Sequence, residues 1–377
     1  FKIIMFLSDL QKIILEKKGF SFNSEEYKKE IEKFLSPKWD RDLLDYKKIK
    51  DIQKSIERIK IAINNNEKII IYADYDCDGI PGAVILNDFF EKINYKNFSI
   101  YIPNRHNEGY GLNKNAIQKF INEKVSLIIT VDLGITNIEE IDFAEKNEIN
   151  VIITDHHLPI LDENEKQILP KAFAIINTKQ KDCDYEEKFL CGASTAWKVV
   201  HTFLEKYREE FNVPNGWEKW LLDMVGIATI ADLVPLRGEN RLFAKYGLEV
   251  LKKSKRPGLQ KILKNAKINQ NKINEDDIAF SIAPRMNSAS RMAEPIHAFY
   301  ALLQNEEAMN YADELEKYNT IRKQDTKDAN DSVDYEKIKN EKIILIGNEN
   351  WTPGIIGLVA SKIVENTSKT TFVWGVG

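Results

Sequence analysis

Three carboxylates stand at alternate positions in D-Y-D-C-D-G, residues 74–79, directly after an apolar run at 68–72. Carboxylates crowded in this way repel one another unless a cation neutralises them, so the motif reads either as a divalent metal site or as an exposed acidic turn. It opens like an EF-hand loop, but that loop needs a bidentate glutamate at its twelfth position, where this sequence has Ile85. Asp132 and T-D-H-H at 154–157 add donors, with two of only five histidines side by side. Beside Asp155 the pair could be a simple capping cluster. Taken with the carboxylates, it is a mixed imidazole and oxygen set without sulfur, which points to Mn²⁺, with Mg²⁺ as the other choice, rather than to structural zinc. Two ions about 3.5–4 Å apart, sharing one carboxylate, activate water and hold the attacking and leaving oxygens of a phosphoryl group. Asp132 is the expected bridge. Asp232 lies in the apolar stretch I-A-D-L-V-P-L at 230–236 and needs a partner there: a metal, a helix cap, or an ion pair with Arg237 or Arg241.

Phosphate-binding candidates come next. P-N-R-H-N-E-G-Y-G-L at 103–112 puts Asn104 and Arg105 in a glycine-containing loop, and A-P-R-M-N-S-A-S-R-M at 283–292 sets Arg285, Asn287 and Arg291 among small residues, read as a second arginine loop. The guanidinium fork matches phosphate, although a solvated loop is the commoner fate of a single arginine. Residues 251–274 carry eight Lys or Arg and no acid, which fits either a patch that tracks a nucleic-acid backbone or a solvated helix face.

These groups must be positioned by the elements between them. β-branched runs at 68–72, 98–102, 126–131, 150–154 and 172–176 alternate with stretches long enough for helices, which predicts an α/β fold with a parallel sheet covered on both faces. Each run ends in polar residues, and in such sheets ligands bind beyond the carboxyl ends of the strands. Residues 1–65 read as a helical extension, with Ile52, Ile56, Ile59 and Ile63 at helical spacing. Helices are expected at 221–232 and 242–251. The run from 294 to about 335, rich in Glu, Lys, Asn and Asp, reads as one extended helix, followed by a second α/β unit with a strand at 342–346 and a helix from 355 to about 364.

The 377 residues are 43% hydrophobic and 30% charged, which excludes collagen-like and wholly disordered classes. A net charge of −4 gives no global attraction to a polyanion, so any nucleic-acid contact has to be local. Three cysteines without a C-x-x-C pair argue against a disulfide framework and make a reducing cytoplasm the expected setting. The apolar run at 3–7 is too short for a secretory segment or a membrane span. A first residue Phe1 and a last residue Gly377 directly after an apolar run lead us to expect that both ends are cut.

D-Y-D-C-D-G, V-D-L-G, T-D-H-H, C-G-A-S-T-A-W-K and A-D-L-V-P-L-R-G-E-N-R, in that order, resemble the DHH phosphoesterase superfamily. A-P-R-M-N-S-A-S-R-M and N-W-T-P-G-I-I-G-L-V-A-S-K narrow the resemblance to its RecJ branch of single-strand-specific DNA exonucleases, from roughly residue 34 to the end. The resemblance implies a helical extension at 1–65, a DHH domain at 66–295, a connecting helix at 296–335 and the start of a DHHA1 domain at 336–377. It implies a hydrolase that removes 5′-mononucleotides from single-stranded DNA, 5′ to 3′, in recombination and repair, using two Mn²⁺ or Mg²⁺ ions. The implied metal ligands are Asp76, Asp78, Asp132, His156 and Asp232, with Asp74 beside them. His157 is implied at the scissile phosphate, and Arg105, Arg285, Asn287 and Arg291 on substrate phosphates; Asp74 and Asp155 are expected to act with His157 in catalysis, and Asn104, from its loop, to join the phosphate contacts. The implied partners are single-stranded DNA, a single-strand binding protein and a helicase, for a cytoplasmic monomer without membrane attachment. Departures from the family pattern fall at Pro81, Gly82, Ser194, Ser290 and Thr352, and the chain stops before the family's glycine- and serine-rich DHHA1 segment and its OB-fold. The rival readings are a DHH phosphodiesterase on short oligonucleotides or cyclic dinucleotides, and a non-catalytic replication scaffold on the same fold. Scaffolds of that kind typically lose metal carboxylates, whereas all five expected ligands are present.

Overall fold

A computed structural model describes residues 7–22 and 24–376; positions 3–6 of the early apolar run lie outside the described residues. Helices α1 (Asp9–Lys17) and α2 (Glu25–Leu35) and short helical turns at Trp39–Asp42 and Tyr46–Lys48 precede α3 (Ile52–Asn64). Then strands β1 (Lys68–Ala73), β2 (Phe98–Tyr101), β3 (Val125–Val131), β4 (Asn150–Thr154) and β5 (Ala174–Ile176) form one parallel sheet in the order β2-β1-β3-β4-β5. The expected strands are all present, within two residues at each end.

The apolar strands are continuous because both faces are covered. Ile69, Ile71, Leu127, Ile129 and Ile152 face a core built with α3, α4 (Gly79–Lys92) and α7 (Gly192–Tyr207). The alternate residues Ile70, Tyr72, Ile128, Val151 and Ile153 face α5 (Lys114–Asn122) and α6 (Ile138–Lys146). The first core continues into α8 (Leu222–Ala231), α9 (Gly238–Leu251) and α10 (Pro257–Asn265).

Two buried polar networks fix how these helices meet. Lys198 on α7 and Glu239 on α9 are both buried and pair at 2.6 Å; Glu239 also accepts from Tyr185 Oη at 2.6 Å and from the backbone N–H of Leu44 at 2.9 Å. Arg256, just before α10, is 3% exposed and pairs with Asp223 at 2.8 Å and Asp88 at 2.7 Å, while its Nη1 donates to the Leu302 carbonyl. Arg256 is therefore an internal strut and drops out of the basic run at 251–274. Within the same run Lys252 pairs with Glu249 and Lys261 with Asp313.

The connecting helix is shorter than expected. After α11 (Ala283–Met292) the chain makes a short helix, Ile296–Tyr300, and a series of turns, and α12 runs only over Ala308–Asp331. The cause is tertiary: Arg256 holds the Leu302 carbonyl and Asp88 accepts from Gln304 Nε2 at 3.0 Å, which keeps this stretch out of a continuous helix. The second unit pairs β6 (Ile343–Asn348) with β7 (Thr370–Gly375) in parallel, joined by α13 (Ile356–Thr367). Its core, Ile344, Trp351, Ile355, Val359 and Ile363, packs on Ala329 of α12 and Met292 of α11. Among the described residues no helix is long and apolar enough to cross a membrane.

Removing Arg256 leaves two buried carboxylates without their cation, so Arg256→Ala should lower the unfolding free energy by about 3–5 kcal/mol. Lys264→Ala, at an exposed position, should change it by less than about 0.5 kcal/mol, both measured by urea unfolding.

Candidate metal and phosphate-binding site

The polar groups at the strand ends meet at one edge of the sheet. Beyond β1 the D-Y-D-C-D-G turn closes so tightly that a Cβ on Gly79 would run into the Asp74 backbone carbonyl. The turn is pinned by Asp76 Oδ1, which accepts from the N–H groups of Asp78 (2.8 Å) and Gly79 (3.1 Å). Asp78 faces the other way and binds the first turn of α7, accepting from the N–H groups of Gly192 at 2.5 Å and Ala193 at 2.7 Å. A helix N-terminus favours such a carboxylate. The approach requires glycine at 192, since a Cβ there would lie 2.5 Å from the Asp132 Cβ. Asp132, after β3, has φ 62°, a left-handed conformation that aspartate tolerates better than most residues.

His156 stands among carboxylates from three different elements. Its Nε2 is 3.1 Å from Asp132 Oδ1 and 3.6 Å from Asp78 Oδ2, and its Nδ1 is 3.7 Å from Asp232 Oδ2. Three overlapping donor groups result, each with ligand atoms within 4.8 Å of one another: Asp78, His156 and Asp232; Asp132, His156 and His157; and Asp74, Asp76 and Asp132. Asp132 and His156 each belong to two of them. Asp232 closes the C-terminal end of α8 and does not pair with either nearby arginine: Arg237 donates to the Lys18 carbonyl and Arg241 to the Phe34 carbonyl.

The electrostatics fit a cation. Asp74 Oδ1 and Asp132 Oδ1 are buried acceptors without a hydrogen-bond donor. Burial, reinforced by Asp76, pushes the Asp74 carboxyl up to about 8, and burial with Asp78 and Asp76 pushes Asp232 up to about 7. Burial raises Asp132 well above the carboxylate range and raises Asp78 as well. Burial lowers His156, which favours the neutral imidazole that ligates metals. These donors, oxygen with one or two imidazoles and no thiolate, suit Mn²⁺ or Mg²⁺.

Asp155 has a different task. Its Oδ1 accepts from the N–H groups of His156 (2.7 Å) and His157 (3.1 Å) and lies 2.8 Å from His157 Nδ1, while Oδ2 accepts from Ile135 N–H at 2.9 Å. Burial opposes ionisation of this carboxyl, but the hydrogen bonds and charge of His157 and the backbone donors outweigh it and hold it below the usual range. The same hydrogen bond raises His157 above an ordinary histidine. Asp155 thus orients a more exposed His157 at the rim, and Asn177 Nδ2 holds the His157 carbonyl at 2.9 Å.

The phosphate candidates divide. Residues 283–292 form helix α11 rather than a loop, started by Pro284 in its first turn. Arg285 is buried and its fork is occupied by Glu316 (2.5 and 3.2 Å) and the Ser281 carbonyl, so it is a strut between α11 and α12 instead of a free phosphate ligand. Asn104 is taken up by its own loop: Oδ1 accepts from His106 N–H at 2.9 Å and Nδ2 donates to Glu294 at 3.2 Å. Arg105 lies 5.3 Å from the Tyr75 ring centroid, and its charge acts on Asp74. Arg291 donates to the Gly354 carbonyl in the second unit and is lowered by burial and by Arg105 and Arg322. Asn287 Oδ1 is buried without a partner. Two cations have no counterpart in the sequence reading. Lys179, three residues past β5, is lowered by burial and sits within the fields of Asp232 and Asp155; its signal was its place just after a strand end. Arg322 on α12 had no signal, because a charged helix looks like a solvated spacer.

Residues 68–229 match the DHH family, N-terminal domain. A DHH domain therefore occupies this stretch of the chain. It is 36% identical over 349 residues to the single-stranded-DNA-specific exonuclease RecJ of Bacillus subtilis (strain 168), covering 91% of this chain and 42% of that protein. It is 30% identical over 342 residues to the protein of the same name from Escherichia coli (strain K12), covering 86% of this chain and 58% of that one. A crystal structure of exonuclease RecJ bound to manganese matches with a TM-score of 0.76 at 28% identity, over 89% of this chain and 82% of that one. The chain spans about half the length of the curated relatives it matches.

Carboxyls raised in the fold keep a proton that the unfolded chain has lost, so their contribution to stability falls as pH rises through the folded values. Asp74, Asp232 and His157 all act in this direction between pH 6.5 and 8.5, whereas buried His156 opposes it only below about 6.5. In EDTA the melting temperature should therefore fall across that window, and the increase on adding Mn²⁺ should be larger at pH 8.5 than at 6.5. Thermal melts with and without the metal check both statements.

Proposed function

We propose that this chain is a metal-dependent exonuclease that hydrolyses single-stranded DNA, 5′ to 3′, to 5′-mononucleotides in DNA recombination and repair. The observation that carries the reading is the set of donor groups sharing Asp132 and His156, beside the arginines Arg105 and Arg291. Asp76, Asp78, Asp132, His156 and Asp232, with Asp74 alongside, would hold two Mn²⁺ or Mg²⁺ ions. Such an ion pair supplies nucleophile activation and neutralises charge developing at phosphorus.

The chain's own residues do the rest. His157, kept protonated and aimed by Asp155, donates from Nε2 to the scissile phosphate. Arg105, Arg291 and Asn287 hold substrate phosphates, the arginines as charged forks and Asn287 through its amide N–H. The end of β4 carries Asp155 and His157 and helix α11 carries Asn287 and Arg291, so the reacting phosphate is oriented by rigid elements before chemistry begins. The setting that goes with this reading is a cytoplasmic monomer that works with a single-strand binding protein and a helicase.

The test is digestion of 5′-labelled single-stranded DNA in Mn²⁺, with dinucleotides and duplex DNA as comparisons. Release of labelled mononucleotide from the single strand is expected; cleavage of dinucleotides alone would replace the reading with a small-substrate phosphodiesterase, and no Mn²⁺ binding by calorimetry would favour a scaffold. Asp132→Ala should lose binding of two ions together with activity. His157→Ala should lower kcat by about 10²- to 10⁴-fold while leaving metal binding in place.

A further inference from the structure

The face of α12 that meets α11 carries polar groups short of partners. Glu316 on this face holds Arg285, and one turn on, Asn319 is 1% exposed. Asn319 Oδ1 accepts from Arg322 Nη2 at 2.9 Å, but its Nδ2 reaches no acceptor, and Arg322 Nε is also buried without one. On α11, Arg291 is near enough to Arg322 that its guanidinium feels that charge, together with those of Arg105 and Asp76. Glu316, the carboxylate bonded within this group, is already occupied by Arg285. Buried donors of one sign, with no acceptor, describe a site for an anion with several oxygens, and the guanidinium fork matches phosphate.

We propose that Asn319 and Arg322 on the connecting helix form, with Arg291, a seat for a non-scissile phosphate of the bound strand. The assignment rests on the reading of single-stranded DNA as substrate. The seat lies on the α11 side of α12, where Arg322 is lowered by burial and by the charge of Arg285. Arg291 also donates to the Gly354 carbonyl, so the residue that would hold this phosphate is itself tied to the second unit.

Two readouts test this on the full chain in EDTA, where no cleavage is needed: anisotropy of a labelled single-stranded oligonucleotide, and thermal shift with inorganic phosphate. Arg322→Ala should weaken oligonucleotide binding about tenfold and reduce the slope of log K against log salt by about 1, with Lys323→Ala as the exposed control. Inorganic phosphate should raise the melting temperature of the wild type and leave that of Arg322→Ala unmoved. Asn319→Asp supplies an internal counter-charge, so it should melt no lower than wild type and still bind the oligonucleotide less tightly. Equal oligonucleotide affinity for wild type and Arg322→Ala, with a lower melting temperature for the variant, would overturn the seat and make Arg322 a packing residue. A wild type that phosphate stabilises but that binds no oligonucleotide would overturn the strand as ligand, and with it the nuclease reading.

Discussion

Mutual repulsion among carboxylates drawn to one sheet edge is the constraint that the rest of the structure answers. Asp74, Asp78 and Asp132 are all buried; Asp74 and Asp76 gather with Asp132, and Asp78 gathers with Asp232 around His156, which also touches Asp132. Each would be tolerable alone on a surface, but in a dry pocket they need compensation. The fold supplies it selectively. Asp78 is met by the first turn of α7 and Asp155 by His157 and three backbone N–H groups, while Asp74 and Asp132 each keep an oxygen that accepts no hydrogen bond, with the His156 imidazole beside that of Asp132. That uneven satisfaction separates the carboxylates that build the scaffold from those left for a cation.

Strand ends are good places for this arrangement because a parallel sheet aligns its polar termini without long connections. The price is close approach: α4 and α7 must start almost on top of β1 and β3, which is why glycine stands at both helix starts. The helical half of the chain then solves a second electrostatic problem with the opposite sign. It brings arginines towards the same edge and uses Glu316 to neutralise one of them, Arg285, leaving Arg291 and Arg105 uncompensated beside the acidic cluster.

Much of this was legible from sequence, and the limit has a physical cause. Unbroken β-branched runs report burial on both faces, so the five strands and the convergence of Asp74, Asp132 and His156 followed from local pattern. Asp232 could be singled out as a carboxylate in apolar surroundings, but choosing among its partners needed the geometry of α8. The fates of single arginines were not legible. Arg256 and Arg285 are decided by acids far away in the chain, Asp88 and Glu316, and no local pattern distinguishes such a strut from a free cation. The start of α12 was missed for the same reason, since the break lies in a contact between Arg256 and Leu302 rather than in a proline or glycine signal. Arg322 looks like any residue of a charged helix until its neighbours are placed.

The hydrogen bond from Leu44 to Glu239 gives the N-terminal segment a different standing from that of an appendage. Glu239 is the counter-ion of the fully buried Lys198, and a donor from outside the sheet domain completes its coordination. Ile52, Ile56 and Ile59 of α3 belong to the same core as the sheet. The boundary that matters for excision therefore does not fall at β1. A fragment cut there would uncover the part of the core that α3 covers and take a donor from a buried ammonium and carboxylate pair, so the segment through which Leu44 reaches inward belongs with the sheet.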